Sequence, residues 1–389
     1  MKMFNFKDRV MKKNLFGWLA MATMLVGTGC SSDEVVNDYS PENAIQFGTY
    51  VGRDADSRGS IFTTNNLQND VDGSQKIGFG VFAYYTGQVA WNQYTISDRP
   101  NFMNNTRVTY NSSVWEYSPL KYWPNNSNDK ISFFAYAPYS ANRTLNGGST
   151  INISVPEDVS SHVDYVVAEG KTDMTKQGLN DKVVFNFKHI LSRVGFKVEA
   201  VVDQQNQTDG TTDEDNQTNV LDNNTKITIQ EVQLNGNFSA SKSIDFTTST
   251  WFDDATTYTS FTGYLLQSSD FTELATNGNI NITKSDLLNK DSEYMMIIPK
   301  NFANTAENPG QITIRVKYTV ETTDADVLGG KSTIVNDITS QPFSFDFEQG
   351  KAYNFVLHLG LTSVKLSAEV SDWDETNIDK VVNVPMNHY

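Results

Sequence analysis

Ile312-Thr313-Ile314-Arg315-Val316-Lys317-Tyr318 alternates apolar and polar side chains without a break. A period of two sends successive side chains to opposite faces, so the stretch predicts a β-strand with one buried face. The same alternation recurs at Ile45, Phe47, Thr49 and Val51, at Ile77, Phe79, Val81 and Ala83, and at Ile131, Phe133 and Ala135. It returns at Val183, Phe185 and Phe187, at Phe343, Phe345 and Phe347, and at Phe355, Leu357 and Leu359. Helical spacing is scarce, with short turns expected only near Asp286 to Asn289. Clusters of Asn, Gly, Ser, Thr and Asp separate the runs and suit turns. An all-β protein of antiparallel sandwiches follows.

The 389 residues include 30 Lys and Arg against 46 Asp and Glu. The N-terminus reads Met11-Lys12-Lys13, then an apolar run from Leu15 to Val26, then Gly27-Thr28-Gly29-Cys30. That order matches a charged start, a hydrophobic core and a lipobox-like junction. Residues 1–29 are therefore expected to be a lipoprotein signal peptide, with diacylglycerol added to Cys30. Gly27 stands where Leu or Val is usual, and the alternative is a plain signal peptide with an incidental cysteine. The run is shorter than the ~20 apolar residues a membrane-spanning helix requires. Cleavage before Cys30 leaves 25 basic and 45 acidic residues, a net −20. Such a surface repels phosphate backbones and argues against nucleic-acid binding. Cys30 is the only cysteine, so no disulfide can form within the chain.

Residues 30–43 are polar and expected to be a tether. A first sandwich over 44–175 and a second over 176–375 are expected, divided near Gly170 and Gly178, with a tail over 376–389. Asp203 to Asn224 holds almost no apolar residue and reads as a long exposed loop. Its Asp213-Glu214-Asp215 offers oxygen ligands to calcium, but without EF-hand spacing a solvated charge run is the simpler reading.

No zinc-binding His-Glu-x-x-His, phosphate-binding glycine loop or Gly-x-Ser-x-Gly elbow is present. His189 and His358 fall in strand-like runs, where a histidine is more often packed than catalytic. No enzyme activity, metal or cofactor is expected. Trp91, Tyr94, Trp115, Tyr117, Tyr122 and Trp123 suggest a glycan-stacking platform, or else ordinary core and rim packing.

Several segments carry a resemblance. They are Ala44-Ile45-Gln46-Phe47-Gly48-Thr49-Tyr50-Val51-Gly52-Arg53, Phe79-Gly80-Val81-Phe82-Ala83-Tyr84-Tyr85, and Trp115 through Pro124. Ile131 through Tyr139, His189-Ile190-Leu191-Ser192-Arg193-Val194-Gly195-Phe196 and Val370-Ser371-Asp372-Trp373 extend the set. In this order they resemble the fimbrillin-like lipoproteins of Bacteroides-type bacteria. The resemblance implies two transthyretin-like β-sandwich domains in tandem and export as an outer-membrane lipoprotein through Cys30. It further implies assembly with other fimbrial subunits, self or related, into surface fimbriae by strand exchange, with a role in adhesion. In that family an arginine-specific protease cuts behind the first strand, and here the matching residues are Arg53 and Arg58. A neighbour's terminal strand then replaces the displaced one.

The physics of such an exchange is readable in these residues. Burying Ile45, Phe47 and Val51 stabilises a strand by roughly 1.5–3 kcal/mol per group, and each ladder hydrogen bond adds about 0.5–1.5 kcal/mol. Removing the strand exposes an apolar groove and unpaired backbone, which favours addition of another alternating strand. The tail supplies one through Ile378, Val382, Val384 and Met386; alternatively it is the last strand of its own domain. A tip or anchor subunit and a surface glycan-binding lipoprotein are the competing readings.

Overall fold

The computed structural model describes residues 43–51, 64–68, 77–96, 99–146, 148–176, 182–201, 224–252, 260–281, 283–289, 294–303, 310–360, 364–373 and 380–384. The first part of the chain contains β1 (Gln46–Val51), α1 (Thr64–Gln68), β2 (Phe79–Gly87), β3 (Met103–Asn111), β4 (Val114–Glu116), β5 (Lys130–Ala137), β6 (Leu145–Asn146), β7 (Thr150–Ser154), β8 (Val166–Met174) and β9 (Lys182–His189). There follow β10 (Ser192–Ala200), β11 (Thr225–Ser239), β12 (Ser241–Asp245), β13 (Thr250–Phe252), β14 (Ser260–Gln267), α2 (Glu273–Thr276), β15 (Ser285–Asp286) and β16 (Met295–Ile297). The chain ends with β17 (Lys300–Phe302), β18 (Thr313–Thr323), β19 (Lys331–Thr339), β20 (Phe345–Phe347), β21 (Lys351–Leu359), β22 (Val364–Asp372) and β23 (Lys380–Val384).

The molecule is all-β, as its alternation predicts. A seven-stranded sheet has the order β1-β9-β8-β5-β2-β3-β4, antiparallel except that β1 runs parallel to β9. A second sheet, β15-β10-β21-β22-β23, faces the four-stranded sheet β14-β11-β18-β19 across one core. There the even-numbered members of the Ile312 to Tyr318 run are buried, as period two requires. The turn expected near Asp286 to Asn289 is instead β15 and an isolated bridge of Leu288 to Phe271; the short helix is α2.

At its centre, in β2 and β5, the seven-stranded sheet buries both faces. Phe79, Val81, Phe133 and Ala135 point into one core, with Phe47 and Phe185. Their neighbours Phe82, Tyr84, Phe134 and Tyr136 point into another, shared with Ile244, Met296 and Trp373. Near-continuous apolar runs such as Ile131 to Ala137 reflect this two-sided burial. A small sheet, β13-β12-β7-β6, supplies Ile151, Ile153 and Ile244 to the second of these cores.

Three strand pairings cross the expected domain division. β9 lies beyond residue 175 yet pairs with β1 and β8 in the first sheet. Lys182, Val184 and Lys188 face outward while Val183, Phe185 and Phe187 are buried, an alternation that suits a strand with one face in the core. β12 pairs with β7 from Ser241↔Ser154 to Asp245↔Thr150, so strands of both halves share one sheet.

Candidate functional site

β1 is the terminal strand of its sheet. Its register with β9 runs from Gln46↔Lys182 to Val51↔Phe187. β8 meets only Val166↔His189, Val167↔Lys188 and Ala168↔Phe187. Among the described residues, Lys182 to Asn186 therefore have β1 as their strand partner. Ile45, Phe47 and Val51 are 1%, 2% and 1% exposed, whereas Tyr50 on the opposite face is 51% exposed. The three apolar residues assigned to the first strand are thus brought together under one face.

Phe47 is the anchor of this strand. Its ring stacks on Phe185 at 5.7 Å and lies 5.2 Å from Tyr117, 6.1 Å from Phe133 and 6.2 Å from Phe79. Burying one aromatic side chain among others combines area removal with ring-edge attraction. The start of the strand is held on its other side: the Ile45 N–H donates to the Lys121 carbonyl at 2.8 Å, and the Trp123 N–H donates to the Asn43 carbonyl at 3.1 Å. Tyr117 donates its hydroxyl to the Ile45 carbonyl at 2.8 Å and accepts from the Lys121 N–H at 3.3 Å. Burial pushes the Tyr117 hydroxyl up to about 12, partly offset by its bond with Lys121, so it stays a donor across the physiological range.

The far end is closed by α1. Thr64 Oγ1 accepts from the Val51 N–H at 3.0 Å and donates to the Val51 carbonyl at 2.9 Å, while Leu67 is fully buried beneath. Sequence reading missed Thr64, Leu67, Tyr117 and Lys121 as holders of β1. A five-residue helix carries too little periodicity to register, and contacts to distant backbone carry none.

Arg53 and Arg58 follow β1 directly in sequence and lie outside the described residues, as do Cys30, Ile378, Met386 and the acidic stretch 202–223. Val382 and Val384 fall in β23, which pairs antiparallel with β22 over Leu366↔Val384, Ala368↔Val382 and Val370↔Lys380. Residues 380–384 are here the edge strand of the second sheet.

The six aromatics do not form one platform. Tyr117 and Trp123 are buried in the core beneath β1, with Trp115 packed on Phe79. Trp91 and Tyr94 pack on the opposite side of the sheet, near Tyr84. The sheet itself separates the two sets.

His189 is buried, 3.0 Å from Asp164 and stacked on Trp373 at 4.5 Å. His358 bridges Glu199 and the Ser367 hydroxyl across three adjacent strands. Among the described residues no group of three or more His, Cys, Asp or Glu could hold a metal, and no helix is long and apolar enough to cross a membrane.

Fold and site together define an all-β protein whose first strand fills an aromatic-lined groove at a sheet edge. The chain belongs to the fimbrillin-like family, whose profile matches residues 64–373. This is a family of fimbrial structural subunits rather than of enzymes, and such subunits form cell-surface appendages. The chain is 26% identical to Fimbrium subunit Fim1C of Phocaeicola vulgatus over 399 residues, covering 94% of this chain and 98% of that one. Its structure is similar to the crystal structure of a fimbrial protein from Bacteroides vulgatus, with a TM-score of 0.62 and 23% identity over 85% of this chain and 99% of that one. The second likeness is one of fold.

Proposed function

We propose that this chain is a structural subunit of a surface fimbrium, exported as a lipoprotein on Cys30 and polymerised by protease-triggered strand exchange, with a role in adhesion. The observation that carries the reading is β1 itself. It is an edge strand with three fully buried apolar side chains, joined to the sheet by one neighbour and followed at once by Arg53 and Arg58. A cut at either arginine by an arginine-specific protease separates anchor and strand together from the rest. The vacated groove then exposes Phe185, Phe79 and Phe133 and the free edge of β9, and a strand from another fimbrial subunit restores both the burial and the ladder. Anchoring and polymerisation are mutually exclusive for each subunit in this scheme.

The decisive experiment is the Arg53→Ala/Arg58→Ala double variant expressed in the producing cell. The expected result is a subunit that stays in the membrane fraction, with an intact N-terminus by mass spectrometry, and does not enter sheared fibres. Normal release and normal fibre content overturn the reading.

A tip subunit is the second reading, and the pairing of β23 with β22 favours it. A subunit whose tail remains on its own sheet accepts a strand without donating one.

A further inference from the structure

Four side chains of β1 and the residue before it share the parity that faces the groove, at positions 45, 47, 49 and 51. Three are apolar. The fourth is Thr49, between Phe47 and Val51 and opposite Phe185 in the parallel register. Thr49 as a residue is partly exposed, but its hydroxyl is shielded from solvent and has no hydrogen-bond partner among the described residues. A buried hydroxyl that gave up its water without gaining a partner opposes folding, whereas an isosteric methyl at the same place does not. The resident strand therefore fits its groove imperfectly, and the misfit sits at one position.

We propose that the groove prefers an incoming strand carrying a hydroxyl-free aliphatic side chain in the Thr49 slot, and that this preference helps the strand of a second copy or a related subunit displace β1. The inference rests on the strand-exchange reading above and names the position that biases it. The rest of β1 is held well: Phe47 by four rings, Ile45 by Tyr117 and Lys121, and Val51 by Thr64. An incoming strand can equal those contacts but gains little on them. At Thr49 it gains by chemistry alone, without any change of volume. The tail of this chain meets the requirement: Val382, Val384 and Met386 carry no hydroxyl, so filling three adjacent slots with them, in either direction, places an aliphatic group in the Thr49 slot.

The test uses the chain from Ser31 onward with residues 54–58 replaced by a site for a specific protease. After cutting, two fluorescent peptides spanning residues 43–52 compete for the groove, one with the natural sequence and one with Thr49→Val. The register of both is fixed by the native strand, so only the hydroxyl differs. The expected result is a preference of about tenfold or more for the valine peptide. In the intact chain, Thr49→Val is expected to raise the urea midpoint, which checks the same hydroxyl without any exchange. Equal binding of the two peptides overturns the inference and leaves strand exchange standing. Entry of neither peptide into the cut chain overturns strand exchange and this inference with it.

Discussion

The Tyr117 hydroxyl donates to the Ile45 carbonyl at 2.8 Å, joining the core aromatic cluster to the backbone of the first strand. Ile45 lies in a segment whose backbone is also held by β9, Lys121, Trp123 and Thr64. Tyr117→Phe keeps the ring and leaves that buried carbonyl short of a partner. A loss of about 1–2 kcal/mol is expected, read as a lower urea midpoint with unchanged slope.

Phe47→Ala empties the space between Phe185, Tyr117, Phe133 and Phe79. Truncating a buried phenylalanine costs about 3–5 kcal/mol, including the cavity left behind. Tyr50→Ala, three residues along on the exposed face, is expected to change stability by less than about 0.5 kcal/mol. Equilibrium unfolding of the two variants side by side checks the assignment of faces.

Thr64→Val keeps the shape of the residue that closes β1 and removes both of its bonds to Val51. Fraying should begin at that end of the strand. Faster amide exchange at Val51, with Phe47 unchanged, is the expected signature by mass spectrometry or NMR.

His162 ties a loop to β16: its Nδ1 accepts from the Met296 N–H at 2.9 Å, and its Nε2 lies 2.9 Å from the Pro156 carbonyl. Burial pushes its pKa below the usual histidine value, against a smaller upward pull from the Pro156 bond. The unfolded chain takes up the proton from about pH 6.5 downward, whereas the folded chain resists it. Stability is therefore unaffected above that pH and falls as pH drops toward the folded value. His162→Gln should show a smaller loss of Tm between pH 7.5 and pH 5 than the natural chain.

Removal of residues 376–389 takes away β23 and bares the outer edge of β22. The truncated chain keeps the apolar core formed by β10, β11, β18, β21 and β22 and is expected to fold. In a stalk subunit it should enter fibres only as a terminator. Unchanged fibre length supports the tip reading instead.

Much of the fold was legible because alternation reports one-sided burial directly. Phe47 and Phe185 were placed in a core from spacing alone, and both lie there. The division at 175/176 does not by itself fix strand pairing, because glycines occur inside strands as well as between domains. Gly170 lies inside β8 rather than at a boundary, and β9 returns to pair with β8. The sharing of one sheet by β7 and β12 joins strands about ninety residues apart, a pairing no local pattern encodes. The aromatic platform failed because Trp91 and Trp123 lie close in sequence yet pack on opposite sides of a sheet. Tail pairing stayed ambiguous since the alternation that lets Val382 and Val384 enter a foreign groove equally lets them extend their own sheet.

The shared sheet β13-β12-β7-β6 and the apolar core beneath it bear on mechanics. Where two halves of a chain meet through a small polar contact, hinge motion is the ordinary outcome. Here Phe82, Tyr136, Ile244, Met296 and Trp373 fill the junction, and backbone hydrogen bonds cross it. A pull applied to one half is handed to the other through the β7–β12 pairing and the shared core, so bending is expected between neighbouring molecules of a filament rather than within each one.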